Sequence, residues 1–161
     1  AGIKQACDSS FSLGLRLSPA RFGMQLDEIT TYYERLCADE TLDFIDMSLW
    51  DVFQEVDEGP HKGARLVDVF SQLNRHKTKL TVAGKITTGA DVKSVLNAGV
   101  DFVALGRAGI LHHDWPQKFA ADADFQSIPT PVTKAHLTNE GLGPKFVSYM
   151  STWAGFVQES A

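Results

Sequence analysis

Four short runs of apolar residues, each about as long as a β-strand, dominate the first two thirds of the chain. They occupy residues 13–17, 44–49, 80–83 and 102–105. Between them, apolar residues recur at steps of three and four, which is the period of an amphipathic helix. Strands that alternate with helices are typical of a parallel sheet made of βα units. The pattern therefore predicts an α/β fold with four βα units.

The pattern changes at about residue 122. Prolines in residues 128–131 (IPTP) disfavour regular structure, and residues 141–144 (GLGP) break the chain again. An apolar stretch follows at residues 146–157. We therefore expect residues 1–121 to form the βα units, and residues 122–161 to form an irregular tail that ends in one helix.

Composition narrows the classes of function. The chain has 161 residues, of which 43% are apolar and 22% charged, with a formal net charge of −5. An acidic chain without a long basic cluster argues against a nucleic-acid or an anionic-membrane partner. No apolar run approaches the roughly 18 residues of a membrane span. Two cysteines, Cys7 and Cys37, are too few for a disulfide framework, so we expect a reducing compartment and a cytoplasmic protein.

Glycines follow the third and fourth predicted strands. Gly84-Lys85 comes directly after one, and Gly106-Arg107 directly after the other. A glycine at a strand end lets backbone N–H groups approach an anion, and an arginine can bind phosphate oxygens in a bidentate manner. Phosphate sites of (β/α)₈ barrels commonly lie in the loops after strands 7 and 8. The pattern is compatible with a phosphate site, and equally with two tight turns and a solvated Arg107.

A charged residue, Arg16, interrupts the first apolar run. By strand alternation its neighbours Leu15 and Leu17 should face the opposite side of the sheet. An arginine that faced the inside of a barrel would need an anion or an electron-rich partner, because burying it unpaired is costly. The alternative is an edge strand with Arg16 in water.

Other polar residues carry weaker signals. His112 and His113 are adjacent, so their side chains point apart, and no cysteine or carboxylate nearby completes a pair at helical spacing; we expect no metal site. Residues 55–61, after the second strand, contain three carboxylates and a histidine, which a solvated loop explains better than contact with a bound ligand. Ser18 lacks the sequence context of a hydrolase nucleophile.

Taken together, these segments resemble the old yellow enzyme family, the FMN-dependent NAD(P)H oxidoreductases that reduce activated alkenes. The resemblance covers roughly residues 3–119. It is carried by four segments, GLRLSP at residues 14–19, AGKIT at 83–87, GVDFVALGR at 99–107, and DWP at 114–116.

The resemblance implies the C-terminal half of a (β/α)₈ TIM barrel, because the four strands align with the last four of the family's eight. Arg16 matches the arginine beside the flavin's pyrimidine ring. Gly84, Lys85, Gly106 and Arg107 match the cradle of the FMN phosphate. The implied cofactors are FMN, with NADH or NADPH as electron donor, and the implied partner is a small-molecule acceptor such as an activated alkene.

The family's remaining active-site groups have no counterpart in these 161 residues. A histidine pair or a His/Asn pair that binds the substrate oxygen, and the tyrosine that donates the proton, lie on earlier strands, so we assign no catalytic residue. Because the first residue is Ala1 and only fifteen residues precede Arg16, we expect a chain truncated at its N-terminus and nearly inactive alone. An open half-barrel should form homo-oligomers or pair with a missing N-terminal half.

Two other functions stay open. One is another phosphate-binding TIM-barrel enzyme, since glycine-ended strands 7 and 8 occur widely among such barrels. The other is a non-catalytic half-barrel fragment that self-associates.

Overall fold

The four apolar runs form the four strands of one parallel sheet. The structure, a computed structural model, describes residues 2–8, 10–19 and 23–158. The strands are β1 Gly14–Leu17, β2 Phe44–Ser48, β3 Lys79–Ala83 and β4 Phe102–Val103, in the sheet order β1-β2-β3-β4. All three pairings are parallel. The α/β class with alternating βα units is thus confirmed, and the sheet is consistent with half of a (β/α)₈ barrel.

Eight helices are found in the described part of the chain. They are α1 Gly2–Ala6, α2 Leu26–Ala38, α3 Leu66–Gln72, α4 Gly89–Asn97, α5 Arg107–Leu111, α6 Trp115–Ala121, α7 Lys134–Asn139 and α8 Pro144–Met150. The helices α2, α3 and α4 each follow a strand, as the periodicity predicts. None of the helices in the described ranges has the length and apolar character needed to cross a bilayer.

Local sequence explains where α2 begins and which side it buries. Gln25 and Glu28 form a capping box, and Asp27 and Glu28 lie in the first turn, where the helix dipole favours negative charge. Ile29, Tyr33 and Cys37 recur at a four-residue spacing and are buried. These three residues define the face of α2 that packs into the core.

The chain divides into two compact units, residues 1–86 with 92–104, and residues 87–91 with 105–161. In the first unit, alternate residues of the central strands form the core, and Tyr33 of α2 contacts Phe70 of α3 with ring centroids 5.6 Å apart. The fully buried strand residues there are Ile45, Met47, Leu80 and Val82. The boundary after residue 121 stays a prediction.

The segment after residue 121 is more regular than its prolines suggested. It contains two helices, α7 and α8, where one was expected. Pro144 begins α8 instead of excluding a helix, because the first turn needs no proline N–H. The second unit also has its own apolar cluster, composed of Leu111, Val132, Leu137, Val147, Met150, Phe156 and Val157. The expectation of an irregular tail ending in one helix was therefore wrong in this respect.

Candidate functional site

One row of side chains crosses the sheet at the level of Arg16. The strand register pairs Arg16 with Asp46, Asp46 with Thr81, and Thr81 with Phe102. Residues paired in register lie on the same face of a sheet. We call these four residues the Arg16 row. It lies on the face opposite the buried Ile45 and Met47, since side chains alternate along β2.

The register agrees with the expected orientation of Arg16. Leu15 pairs with Ile45, and Leu17 pairs with Met47, so both leucines are on the core side of the sheet. Arg16 is therefore on the other face, where its side chain is 58% exposed. The structure combines features of both readings, because Arg16 has an anionic partner and its side chain is also largely exposed.

The partner of Arg16 is Asp46 on the neighbouring strand. Arg16 Nε lies 2.8 Å from Asp46 Oδ2, and the aspartate side chain is only 18% exposed. The other carboxylate oxygen, Asp46 Oδ1, is buried, as is Thr81 Oγ1, and neither has a hydrogen-bond partner among the described residues. Sequence reasoning missed Asp46 because it lies thirty residues further along the chain; alternation within the second apolar run is the signal that could have found it.

Gly84, at the end of β3, is required by packing. Its φ is 154°, and a Cβ atom there would lie within 3.0 Å of the Trp50 and Asp51 backbone. Only glycine permits this approach, because any side chain would overlap the loop after β2. This close contact explains why residue 84 is a glycine, whether or not an anion binds there.

Lys85 forms an ion pair beside that contact. Its Nζ lies 2.9 Å from Asp51 Oδ2. Partial burial raises the pKa of Asp51, but hydrogen bonds from Lys85 and the Phe53 N–H outweigh it and hold the pKa below its usual range. Lys85 and Trp50 both have left-handed backbones, with φ of 50° and 62°. Such conformations are uncommon for residues other than glycine and concentrate at functional sites.

Gly106 and Arg107 lie in the second unit, at the start of α5. Gly106 precedes the helix, with φ −92° and ψ −100°. In contrast to Gly84, a Cβ atom at Gly106 would meet nothing within 4 Å. Arg107 is exposed, and it forms no ion pair with a residue that the structure describes. The space at Gly106 and the available guanidinium of Arg107 are compatible with an anionic ligand.

The loops after β1 and β2 line a cavity of about 380 Å³ in the first unit. The sequence favoured a solvated loop for residues 55–61, and these residues form one wall. Sequence reasoning did not identify the opposite wall, at residues 24–27. The lining residues are Pro19, Met24, Gln25, Leu26, Asp27, Gln54, Glu55, Val56, Asp57, Glu58, Gly59, Pro60, His61 and Leu66.

A histidine and two carboxylates come together in the second unit. Candidate ligand atoms of His113, Asp114 and Glu140 lie within 4.8 Å of one another. Glu140 was missed in the sequence because it follows 27 residues after His113. Each carboxylate already has a partner. Glu140 Oε2 lies 2.7 Å from His113 Nδ1, and Asp114 Oδ2 lies 2.5 Å from Lys118 Nζ. These two contacts account for the positions of the three side chains.

Two proteins of named activity are similar to this chain. No protein-family model matches the chain. The chain is 25% identical, over 84% of its length, to a probable NADH-dependent flavin oxidoreductase, YqiG, of Bacillus subtilis. It is also 25% identical, over 76% of its length, to an NADH:fumarate oxidoreductase of Klebsiella pneumoniae. The matches cover 40% and 14% of those two proteins. The predicted similarity to NADH-dependent flavin oxidoreductases is confirmed.

Proposed function

We propose that this chain is the FMN-binding part of an NAD(P)H-dependent flavin oxidoreductase of the old yellow enzyme type. The observation that carries the proposal is the similarity to two NADH-dependent oxidoreductases over 84% and 76% of the chain. The position of Arg16 supports it, because its exposed side chain lies on the face of the parallel sheet opposite the buried Ile45 and Met47. When bound, FMN would accept a hydride from NAD(P)H and pass it to a small, electron-poor acceptor such as an activated alkene.

The residues present fit such a cofactor. Arg16 would stabilise the electron-rich reduced ring by its positive charge. Arg107 would bind the phosphate with two N–H donors, and the space at Gly106 allows the phosphate to approach the backbone. The resemblance also assigns Gly84 and Lys85 to the phosphate, and we retain that assignment within the proposal.

An FMN titration of the 161-residue chain, followed by flavin fluorescence, tests the proposal. Arg107→Ala should weaken FMN binding by about 1.5 to 3 kcal/mol, the range for a hydrogen bond to a charged group. The same variant should leave riboflavin binding unchanged, because riboflavin has no phosphate. Arg35→Ala, which removes an exposed arginine of α2, is the matched control and should change neither. Equal FMN affinity in Arg107→Ala and the wild-type chain would refute the phosphate assignment.

Another phosphate-binding barrel enzyme is the second candidate. The surroundings of Gly106 and Arg107 favour it, because they would suit any phosphate ligand. Absorbance near 450 nm in the purified protein is a general property of oxidised flavin and would support the first candidate. Binding of sugar phosphates at least as tight as that of FMN would support the second.

The strand at the end of the sheet supports a proposal of self-association. Among the described residues β1 pairs with β2 alone, and Leu15 on β1 is 37% exposed. An unpaired strand edge beside apolar surface favours pairing with another chain. We therefore propose a homo-oligomer, or pairing with a chain segment that supplies further βα units, and size-exclusion mass distinguishes these from a monomer.

A further inference from the structure

We propose that Asp46 is a positioning residue, which orients the exposed Arg16 guanidinium for contact with the flavin ring. The inference rests on the proposed function and goes beyond it, since neither the sequence pattern nor the family resemblance singles out Asp46. It concerns one ion pair within the first unit, Arg16 Nε to Asp46 Oδ2 at 2.8 Å.

The two ends of the Arg16 guanidinium lie in different surroundings. A guanidinium has five N–H donors in a rigid fork, one on Nε and four on the two terminal nitrogens. Asp46 Oδ2 lies 2.8 Å from Nε, within ion-pair distance. The terminal nitrogens form no ion pair with a described residue, and the side chain remains 58% exposed. Asp46 thus binds the arginine at its inner end and leaves its outer end available to an electron-rich ligand.

Asp46 is the better fixed member of the pair. It lies on β2, which is hydrogen-bonded to strands on both sides, whereas Arg16 lies on β1, which is paired on one side in the described structure. The neighbours of Asp46 along β2, Ile45 and Met47, are fully buried. An arginine on an end strand has many accessible rotamers, and an ion pair to a rigid aspartate reduces that freedom before a ligand binds.

The carboxylate also offsets part of the positive charge of Arg16. Replacing Asp46 by Asn would remove the negative charge while leaving the arginine in place. Two effects follow, which are a less ordered guanidinium and a more positive electrostatic field around Arg16. The first should weaken binding of the flavin ring. The second should raise the reduction potential of the flavin that does bind, because the electron-rich reduced form gains stability.

The test uses lumiflavin, which has the flavin ring without the phosphate chain, alongside FMN. Asp46→Asn should weaken binding of both ligands at least fivefold and raise the potential of bound FMN. In an Arg16→Ala background, Asp46→Asn should have no further effect on lumiflavin binding, because Asp46 acts through Arg16. Glu40→Gln, which removes one charge from the exposed Glu40–Lys77 pair, is the matched control and should change neither quantity.

NMR of the arginine side chains gives a readout without flavin. The Nε–H bond of Arg16 should have a higher order parameter, and so less motion, in the wild-type chain than in Asp46→Asn. Equal order parameters in the two chains would overturn the inference and leave the proposed function standing. If Asp46→Asn weakened lumiflavin binding equally in the wild-type and the Arg16→Ala backgrounds, the inference would likewise be overturned and the proposed function would stand. Failure of the wild-type chain to bind FMN or lumiflavin would overturn the proposed function and this inference with it.

Discussion

A Cβ atom on Gly84 would lie 2.8 Å from the carbonyl carbon of Trp50, so the segments that follow β2 and β3 touch backbone to backbone. Val52 N–H also donates to the Gly84 carbonyl at 3.3 Å, and Leu49 N–H donates to the Ala83 carbonyl at 2.8 Å. This contact holds the carboxyl ends of the two central strands together. A side chain at Gly84 would have to separate them.

Gly84→Ala is therefore expected to lower the free energy of unfolding by about 1 to 3 kcal/mol, through overlap and backbone strain. Urea denaturation followed by circular dichroism measures the change. Gly143→Ala is the control, because its φ of −68° is ordinary and a Cβ there meets no atom within 4 Å. A Gly84→Ala variant as stable as the wild-type chain would show that the two segments separate without cost.

Asp101 is expected to stabilise the first unit at the place where β3 and β4 begin. It accepts hydrogen bonds from Lys79 Nζ at 2.8 Å and Leu80 N–H at 2.9 Å, and it pairs with Arg75. Asp101→Asn should lower the free energy of unfolding by about 1 to 2 kcal/mol, since three donors lose a charged acceptor that solvent partly screens. Glu40→Gln should lower the free energy of unfolding by less than about 0.5 kcal/mol, because the Glu40–Lys77 ion pair is exposed.

The same aspartate gives stability a dependence on low pH. Partial burial raises the pKa of Asp101, but its bonds from Lys79, Leu80 and Arg75 outweigh it and hold the pKa below 3.8. The contribution is complete above about the unfolded pKa, near 3.9, and is lost as the pH falls through the lower folded value. Denaturation midpoints between pH 5 and 3 should therefore decline less steeply for Asp101→Asn than for the wild-type chain.

His112 should make the second unit sensitive to mild acid. Burial lowers its pKa below 6.5, and its Nε2 accepts the Ile128 N–H at 3.1 Å, which requires a neutral ring nitrogen. The charged and titratable groups acting on it are Glu140 and Asp114, which raise the pKa, and Lys118 and His136, which lower it. The contribution of neutral His112 to the free energy of unfolding is complete above about pH 6.5. It is lost as the pH falls, by at most about 1.4 kcal/mol per pH unit for one proton.

Chemical denaturation followed by tryptophan fluorescence at pH 7.5 and pH 5.5 measures this effect. Trp115 is buried in the second unit and stacks on Phe119, so it reports on unfolding there. His112→Gln should lower stability at both pH values and reduce the difference between them. His76→Asn, at an exposed histidine of the first unit, should keep the wild-type difference. An unchanged difference in His112→Gln would assign the titration to another group.

The isolated 161-residue chain is expected to show no more than trace ene-reductase turnover, even with FMN bound. Holding an acceptor at near-attack distance can supply about 7 to 11 kcal/mol of barrier reduction. In the family that the sequence resembles, a histidine pair provides this positioning and a tyrosine donates the proton, and neither has a counterpart here. Assays with NADH or NADPH and an activated alkene test this. Turnover within tenfold of ~10 per second would show that other groups do the chemistry.

The amino-acid sequence predicted the secondary-structure elements better than the contacts between residues that are distant along the chain. All four apolar runs became strands, because run length and flanking periodicity are local properties. The last run became the two-residue strand Phe102–Val103, shorter than expected, since its register with β3 is limited to Thr81 and Val82. The partners Asp46 for Arg16 and Glu140 for His113 were missed, because each lies some thirty residues from its partner.

The division of α4 between the two units has a practical consequence for making fragments. Residues 87–91 belong to the second unit, although residues 92–104 return the chain to the first. Within the second unit, Gly89 N–H donates to the Phe125 carbonyl at 2.7 Å, and Ser127 N–H donates to the Thr87 carbonyl at 3.0 Å. A peptide that began at residue 105 would leave Phe125 and Ser127 without these bonds. Neither unit can be excised whole by one cut, so a limited digest should not release the second unit as an intact, folded piece.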